Sequence, residues 1–404
     1  MTQRRPAGVP GVQPGDVEST YLDGLEHRMH ELWALGRNVV LVWAPLKKGL
    51  EILLIPHYVL ADFASDKNGG AASREFIEGV LSRPKLVFTE ELHKIADRLD
   101  YEPKLIDLPF TPGKEVGLDV MDDLIKRYGI SYVEDRAVAL FDIVGFSLYP
   151  PLEQVTQLNS LSYSVNSAFS KMLNKQFDLS FARTTTGDGF YIWNRGRGVQ
   201  ANINLYHFMH LVLADNAISH GKSKSGTTPL LRTAFHVGGH YEFYQPEGLS
   251  PTIYSYIVGD VTIELARMID KAIPGQIIVG DFKMPMSDGK AEKIQRIGPV
   301  EFIERTQATL SSLKGLELSG DGIESIKCYL TGAEGDGGAF GVSRYRILDK
   351  HGLGRNVFNA KVNIYRKGAE AIFLGAQARD LNEFDAAEEY IIARPDPDLP
   401  ALPS

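Results

Sequence analysis

The stretch RAVALFDIVGFSLYPP, Arg136–Pro151, puts one carboxylate, Asp142, inside an otherwise apolar run. Ala137–Phe141 has the length and composition of a buried strand. A glycine follows at 145, and Pro150 and Pro151 stand where a helix accepts proline, at its first turn. The stretch therefore reads as strand, glycine turn and helix. A lone buried charge is costly, so Asp142 must have a partner.

Downstream, a helix is expected over 152–173. LSFARTTTGDGFYIWN, 179–194, is a hairpin whose Gly-Asp-Gly is a strong turn signal. A second helix spans 199–218, and the basic loop HGKSKSGTT leads to a strand at 230–240. A third helix covers 261–272, and a Pro-Gly turn opens the strand 276–280. The order β-α-ββ-α-β-α-β is that of a ferredoxin-like core with extensions: an α+β fold with helices on one face of an antiparallel sheet. Four segments are expected. Residues 1–18 are rich in Pro, Gly and Arg and read as disordered. Residues 19–132 form an N-terminal α/β segment (helix 22–35, strands 39–45 and 51–55, helical 75–101) with no motif that carries chemistry. Residues 133–332 hold the core. Residues 333–404 read as a small β-rich, sensor-like C-terminal module: the linker GDGGAFGV, then strands in SRYRILDKHG, NVFNAKVNIYR and AIFLGAQA, then a proline-rich tail.

The chain has 404 residues, enough for two or three domains. A net charge of −8 without a long basic stretch argues against a nucleic-acid surface. A single cysteine, Cys328, excludes an internal disulfide and fits a reducing, cytoplasmic setting. The apolar run Val39–Leu60 is broken by Lys47, Lys48, Glu51 and two prolines, so it reads as two buried strands and not a membrane span.

In a ferredoxin-like sheet the first strand and the hairpin are neighbours. Asp142 and Asp188 can then converge into an oxygen-rich site suited to Mg²⁺ or Mn²⁺, with nearby glycines allowing phosphate to approach the backbone. The alternative is a capping aspartate and an ordinary Asp-Gly turn. His236 and His240 lie about 13 Å apart along a strand, too far to share an ion.

FDIVGF, GDGF, LLRTAFHVGGH and YIVGDVTIELARMIDKAIPGQIIVG, followed by SLKGLELSGDGIESIKCYLTG, together resemble the catalytic domain of class III nucleotidyl cyclases over about residues 134–332. The resemblance implies two metal ions per site, held by Asp142, Asp188 and the carbonyl of Ile143. It also implies a phosphate cradle from Ile143, Val144, Gly145 and Phe146, with Lys314 as a further phosphate ligand. Arg267 becomes the arginine that offsets transition-state charge. It further implies a head-to-tail homodimer in which the aspartates come from one subunit and the arginine from the other. The substrate would be a nucleoside triphosphate, whose 3′ oxygen attacks the α-phosphorus and expels pyrophosphate.

Three positions depart from the pattern. Purine-selecting members place Lys or Glu where Thr184 stands, next to Arg183, and Asp or Cys where Tyr256 stands. A tyrosine narrows a base pocket, and Arg183 or Thr184 can donate to a pyrimidine carbonyl. Strand alternation sends these two to opposite faces, so one of them reaches the base. The asparagine one helical turn before the arginine is Ile263, unless Thr262 or Glu264 substitutes. With the C-terminal module, this combination resembles the bacterial anti-phage pyrimidine cyclases of the Pycsar system. That implies cyclic UMP or cyclic CMP made from UTP or CTP, acting on a separate effector protein. Two alternatives stand beside it: an adenylate or guanylate cyclase, and a catalytically silent nucleotide sensor.

Overall fold

A computed structural model describes residues 14–65, 70–223, 227–246, 253–286, 295–318, 320–332, 341–349, 351–381 and 384–390. Residues 1–13, most of the linker and the proline-rich tail lie outside these. Helix α1 begins at Pro14, inside the segment expected to lack structure. The chain divides into two units: residues 1–133 with 241–256, and residues 134–240 with 257–404.

The first unit is a three-stranded antiparallel sheet with helices on both faces. Its elements are α1 (Pro14–Trp33), β1 (Asn38–Leu46), β2 (Gly49–Pro56), α2 (His57–Phe63), α3 (Gly70–Ser82), α4 (Thr89–Leu99), β3 (Lys104–Asp107) and α5 (Leu118–Lys126). Side chains of α1 and α5 share one core with Trp43 and Ile52; those of α2, α3 and α4 share the other with Leu41 and Leu53. The run Val39–Leu60 thus supplies two buried strands and the start of α2, as its composition requires. No helix among the described residues is long and apolar enough to cross a membrane.

The second unit is built on β4 (Ile130–Ile143), α6 (Pro151–Asn174), β5 (Phe181–Thr185), β6 (Gly189–Asn194), α7 (Val199–Lys222), β7 (Leu231–Pro246), β8 (Ile253–Val258), α8 (Asp260–Ile269) and β9 (Ile277–Gly280). The far ends of β7 and β8 belong by residue number to the first unit. Then follow β10 (Met284–Met286), β11 (Gln295–Ile297), α9 (Pro299–Thr309), β12 (Glu317–Leu318), β13 (Asp321–Leu330), β14 (Val342–Leu348), β15 (Gly354–Arg366), β16 (Ala369–Leu374) and β17 (Asp385–Tyr390). The main sheet runs β12-β13-β15-β9-β7-β4-β6-β5. Its last four strands have the ferredoxin-like order read from the sequence. The β7–β9 pairing is parallel; β4–β6 and β5–β6 are antiparallel. The segment read as a separate C-terminal module sends β15 into this sheet, between β13 and β9.

Strand β4 explains the layering. Its side chains alternate, as the two-residue period demands. Ala137, Ala139, Phe141 and Ile143 enter a core with Leu161 and Val165 of α6, residues of α7, and Phe302 of α9. Val138 and Leu140 enter a second core with Val261, Leu265 and Met268 of α8. The expected helices on one face are α6, α7 and α9, while α8 covers the other. Burial on both faces makes β4 a continuous apolar run, not an alternating one. Asp142 continues the Val138–Leu140 series and so faces α8.

Candidate active site

Asp142 pairs directly with Gly189 across β4 and β6, and the Ile143 amide donates to the Asp188 carbonyl at 3.0 Å. The strand end and the hairpin tip are thereby locked side by side. A β-carbon on Gly189 would lie 1.9 Å from the Phe141 carbonyl oxygen, so only glycine permits this approach. Both aspartates line a cavity of about 420 Å³, together with Tyr191, Ile263, Arg267 and Asp270. Asp142, Asp188 and Arg267 are thus brought to one place, as the sequence implied, and Arg267 lines the cavity alongside the aspartates of its own chain.

The partner that Asp142 requires is Arg232 of β7, whose Nε donates to Oδ2 at 2.6 Å. Burial still pushes the Asp142 carboxyl above its ordinary value. Arg232 opposes that rise, and the charges of Asp188 and Asp270 add to it. Burial, with Asp270, Asp142 and Asp188 nearby, likewise raises the Tyr191 phenol. The Tyr191 hydroxyl donates to the Thr262 carbonyl at 3.2 Å, tying β6 to the first turn of α8. Sequence reasoning missed Arg232, Tyr191 and Asp270 as site residues. The signal for Arg232 was available: an arginine inside a predicted strand needs a carboxylate as much as Asp142 needs a cation.

A divalent cation fits the donor chemistry. Asp142, Asp188 and the Ile143 carbonyl are all oxygen donors. A hard cation bound by one or two carboxylates completes its shell from phosphate and water. Among the described residues no three His, Cys, Asp or Glu side chains converge as a ready-made metal site, so such an ion would depend on the substrate for further ligands. The raised Asp142 carboxyl and its Arg232 partner are the features such an ion would relieve.

The expected phosphate cradle is placed only in part. The Ile143 amide is engaged by Asp188, and the Val144 amide donates to the Leu230 carbonyl at 2.9 Å. A phosphate would compete with the chain's own bonds for both. Gly145, at φ 68°, turns the chain into a short helical turn that begins at Phe146. Lys314 lies outside the cavity, just before β12, and four strands of the sheet separate β12 from β4.

Of the base-selecting candidates, Arg183 turns away. Its guanidinium reaches Ser162 of α6 at 3.5 Å and lies over the Phe190 ring, on the sheet face opposite α8. Alternation gives Thr184 the α8 face, opposite Tyr191. Tyr256 stacks on Phe243 with ring centroids 5.6 Å apart, both within the first unit, and does not line the cavity. Ile263 does line it and is half exposed. Neither proposed substitute for an asparagine there faces the cavity. The Thr262 hydroxyl donates to the Gly259 carbonyl at 2.8 Å, and Glu264 is bonded to Arg355. His236 packs on Phe282, and His240 meets Arg136 at 3.4 Å, each in surroundings of its own.

No protein-family model matches the chain, and no curated protein matches it. Solved structures similar to it include three cyclase domains. The catalytic core of a rhodopsin-guanylyl cyclase with converted specificity, in complex with ATPalphaS, is 13% identical, with 42% of this chain and 97% of that chain covered and a TM-score of 0.30. The guanylate cyclase domain of RhGC from Catenaria anguillulae, in complex with GTP, is 15% identical over 41% and 96%, with a TM-score of 0.29. The adenylyl cyclase CyaB from P. aeruginosa is 13% identical over 57% and 95%, with a TM-score of 0.30. What the protein does is therefore argued from the cavity.

Proposed function

We propose that this protein is a nucleotidyl cyclase that converts a pyrimidine nucleoside triphosphate, UTP or CTP, to its 3′,5′-cyclic monophosphate and pyrophosphate. The observation that carries the reading is the cross-strand placement of Asp142 beside Asp188 in a cavity that Arg267 of α8 also lines.

The roles follow from chemistry. Asp142, Asp188 and the Ile143 carbonyl would hold Mg²⁺ or Mn²⁺, two ions per site by the family resemblance; when bound, such ions lower the pKa of the attacking hydroxyl and neutralise the leaving pyrophosphate. The ribose 3′-hydroxyl loses its proton, its oxygen bonds to the α-phosphorus, and the bond to the β-phosphate oxygen breaks. Arg267 offsets charge that grows on the phosphates as this happens, a task suited to a fixed guanidinium. Arg232 keeps Asp142 oriented and balances its charge.

The pyrimidine preference is supported by Thr184 on the cavity-side face of β5 and by the aromatic residue at 256. The resemblance extends the proposal to a head-to-tail homodimer, in which a second copy contributes its arginine, and to a cyclic nucleotide read by a separate effector protein during infection.

Product analysis with Mn²⁺ and each of ATP, GTP, CTP and UTP tests the reading. Cyclic UMP or cyclic CMP, absent from an Asp142→Ala variant, is the expected result. A cyclic purine would overturn the pyrimidine preference alone. No product, with nucleotide still bound, would favour a silent nucleotide sensor, a reading consistent with the apolar Ile263 in the cavity.

A further inference from the structure

The turn between β14 and β15 grips α8 at two points. Asp349 ends β14, and its side chain is 1% exposed. Its Oδ1 accepts the amides of His351 at 2.8 Å and Leu353 at 3.0 Å. Its Oδ2 lies 3.4 Å from a terminal nitrogen of Arg355 and 3.8 Å from Nε of Arg267. Arg355 also bonds Glu264, which sits three residues before Arg267 on the same helix. Positions three apart on a helix are neighbours, so the two links fall side by side.

Burial alone would raise the Asp349 carboxyl. The Leu353 and His351 amides, with Arg267 and Arg355, outweigh burial and hold it below its ordinary value. It is a fixed anion whose place is set by the backbone of its own turn. At 3.8 Å its contact with Arg267 is an ion pair and not a hydrogen bond. It therefore acts on the guanidinium through charge.

We propose that Asp349 is a positioning residue for Arg267: the β14–β15 turn presents a buried carboxylate that orients the α8 guanidinium at the candidate cavity. The catalytic consequence rests on the cyclase reading, whereas the positioning does not.

Two measurements test this. Asp349→Asn keeps an oxygen for the His351 and Leu353 amides and removes the charge that faces Arg267. In the cyclase assay this variant is expected to lower kcat roughly tenfold with KM changed less than about twofold, as for a misaligned transition-state contact. In an Arg267→Ala background the same change is expected to have no further effect, because Asp349 acts through Arg267. An equal loss in both backgrounds, or an unchanged kcat, overturns the proposal.

The second measurement needs no turnover. In protein labelled with ¹⁵N-arginine, the Nε–H signal of Arg267 is assigned by its loss in Arg267→Lys. Asp349→Asn is expected to shift that signal and speed its exchange with water; an unmoved signal overturns the proposal. Should the Asn variant not fold, Asp349→Glu is read the same way, with a smaller shift expected. If the wild-type chain cyclises no nucleotide, the cyclase reading fails while the arginine signal still decides the positioning.

Discussion

Asp142 and Arg232 form the charged pair on which the site rests, and each makes a distinct prediction. Asp142→Ala or Asp188→Ala is expected to abolish Mn²⁺-dependent turnover while the thermal unfolding midpoint stays within a few degrees. Arg232→Ala strands a buried carboxylate. It should cost about 1.5–3 kcal/mol of stability, the size of a hydrogen bond to a charged group, read from denaturant unfolding. The pH dependence has a definite sign. The fold raises the Asp142 carboxyl above its ordinary 3.8, so its contribution to stability is fully present below that value and is lost as pH rises through the raised one. A metal needs the ionised form, so Mn²⁺ affinity should strengthen over the same rise and then level off. Titration calorimetry at several pH values checks this, and a flat profile would remove Asp142 from the metal site. The sequence disclosed both aspartates because each stands beside glycine in a recognisable turn. It did not disclose Arg232, because pairing across strands is set by register and not by spacing.

At the scale of elements, β4 and the β5–β6 hairpin were readable because their signals are local: an apolar run ended by a glycine turn, and a Gly-Asp-Gly tip. Strand β8 was hidden in a motif read for its helix, and β13 in a segment read for its lysine. The neighbours of β15 were unreadable, since alternation identifies a strand without naming the strands it joins. Arg183 and Thr184 were open between two faces until the packing of α6 settled them. One element-level prediction follows from the close approach of β4 and β6. Gly189→Ala forces a β-carbon against the Phe141 carbonyl and should open the ladder beside both aspartates. Unlike Asp188→Ala, it is expected to lower stability and turnover together; a calorimetric scan set beside the activity assay separates the two.

For the whole molecule, two expectations concern assembly. If the site is shared between copies, mixing inactive Asp142→Ala and Arg267→Ala proteins should restore part of the activity, because one pairing of subunits carries an intact site. No recovery would mean that Arg267 serves the aspartates of its own chain. The second concerns the C-terminal segment. A chain cut after residue 332 lacks β15 and leaves one side of β9 and one side of β13 unpaired. It is expected to aggregate or to lose its cooperative thermal transition. The same arrangement sets a schedule for synthesis. Strand β9 ends at residue 280, but the strand that covers its second edge starts only at residue 354. At the ordinary pace of translation the ribosome takes on the order of 4–15 s to travel that distance. Throughout that interval the nascent chain carries an open strand edge, the kind of surface that chaperones shield and neighbouring polypeptides capture.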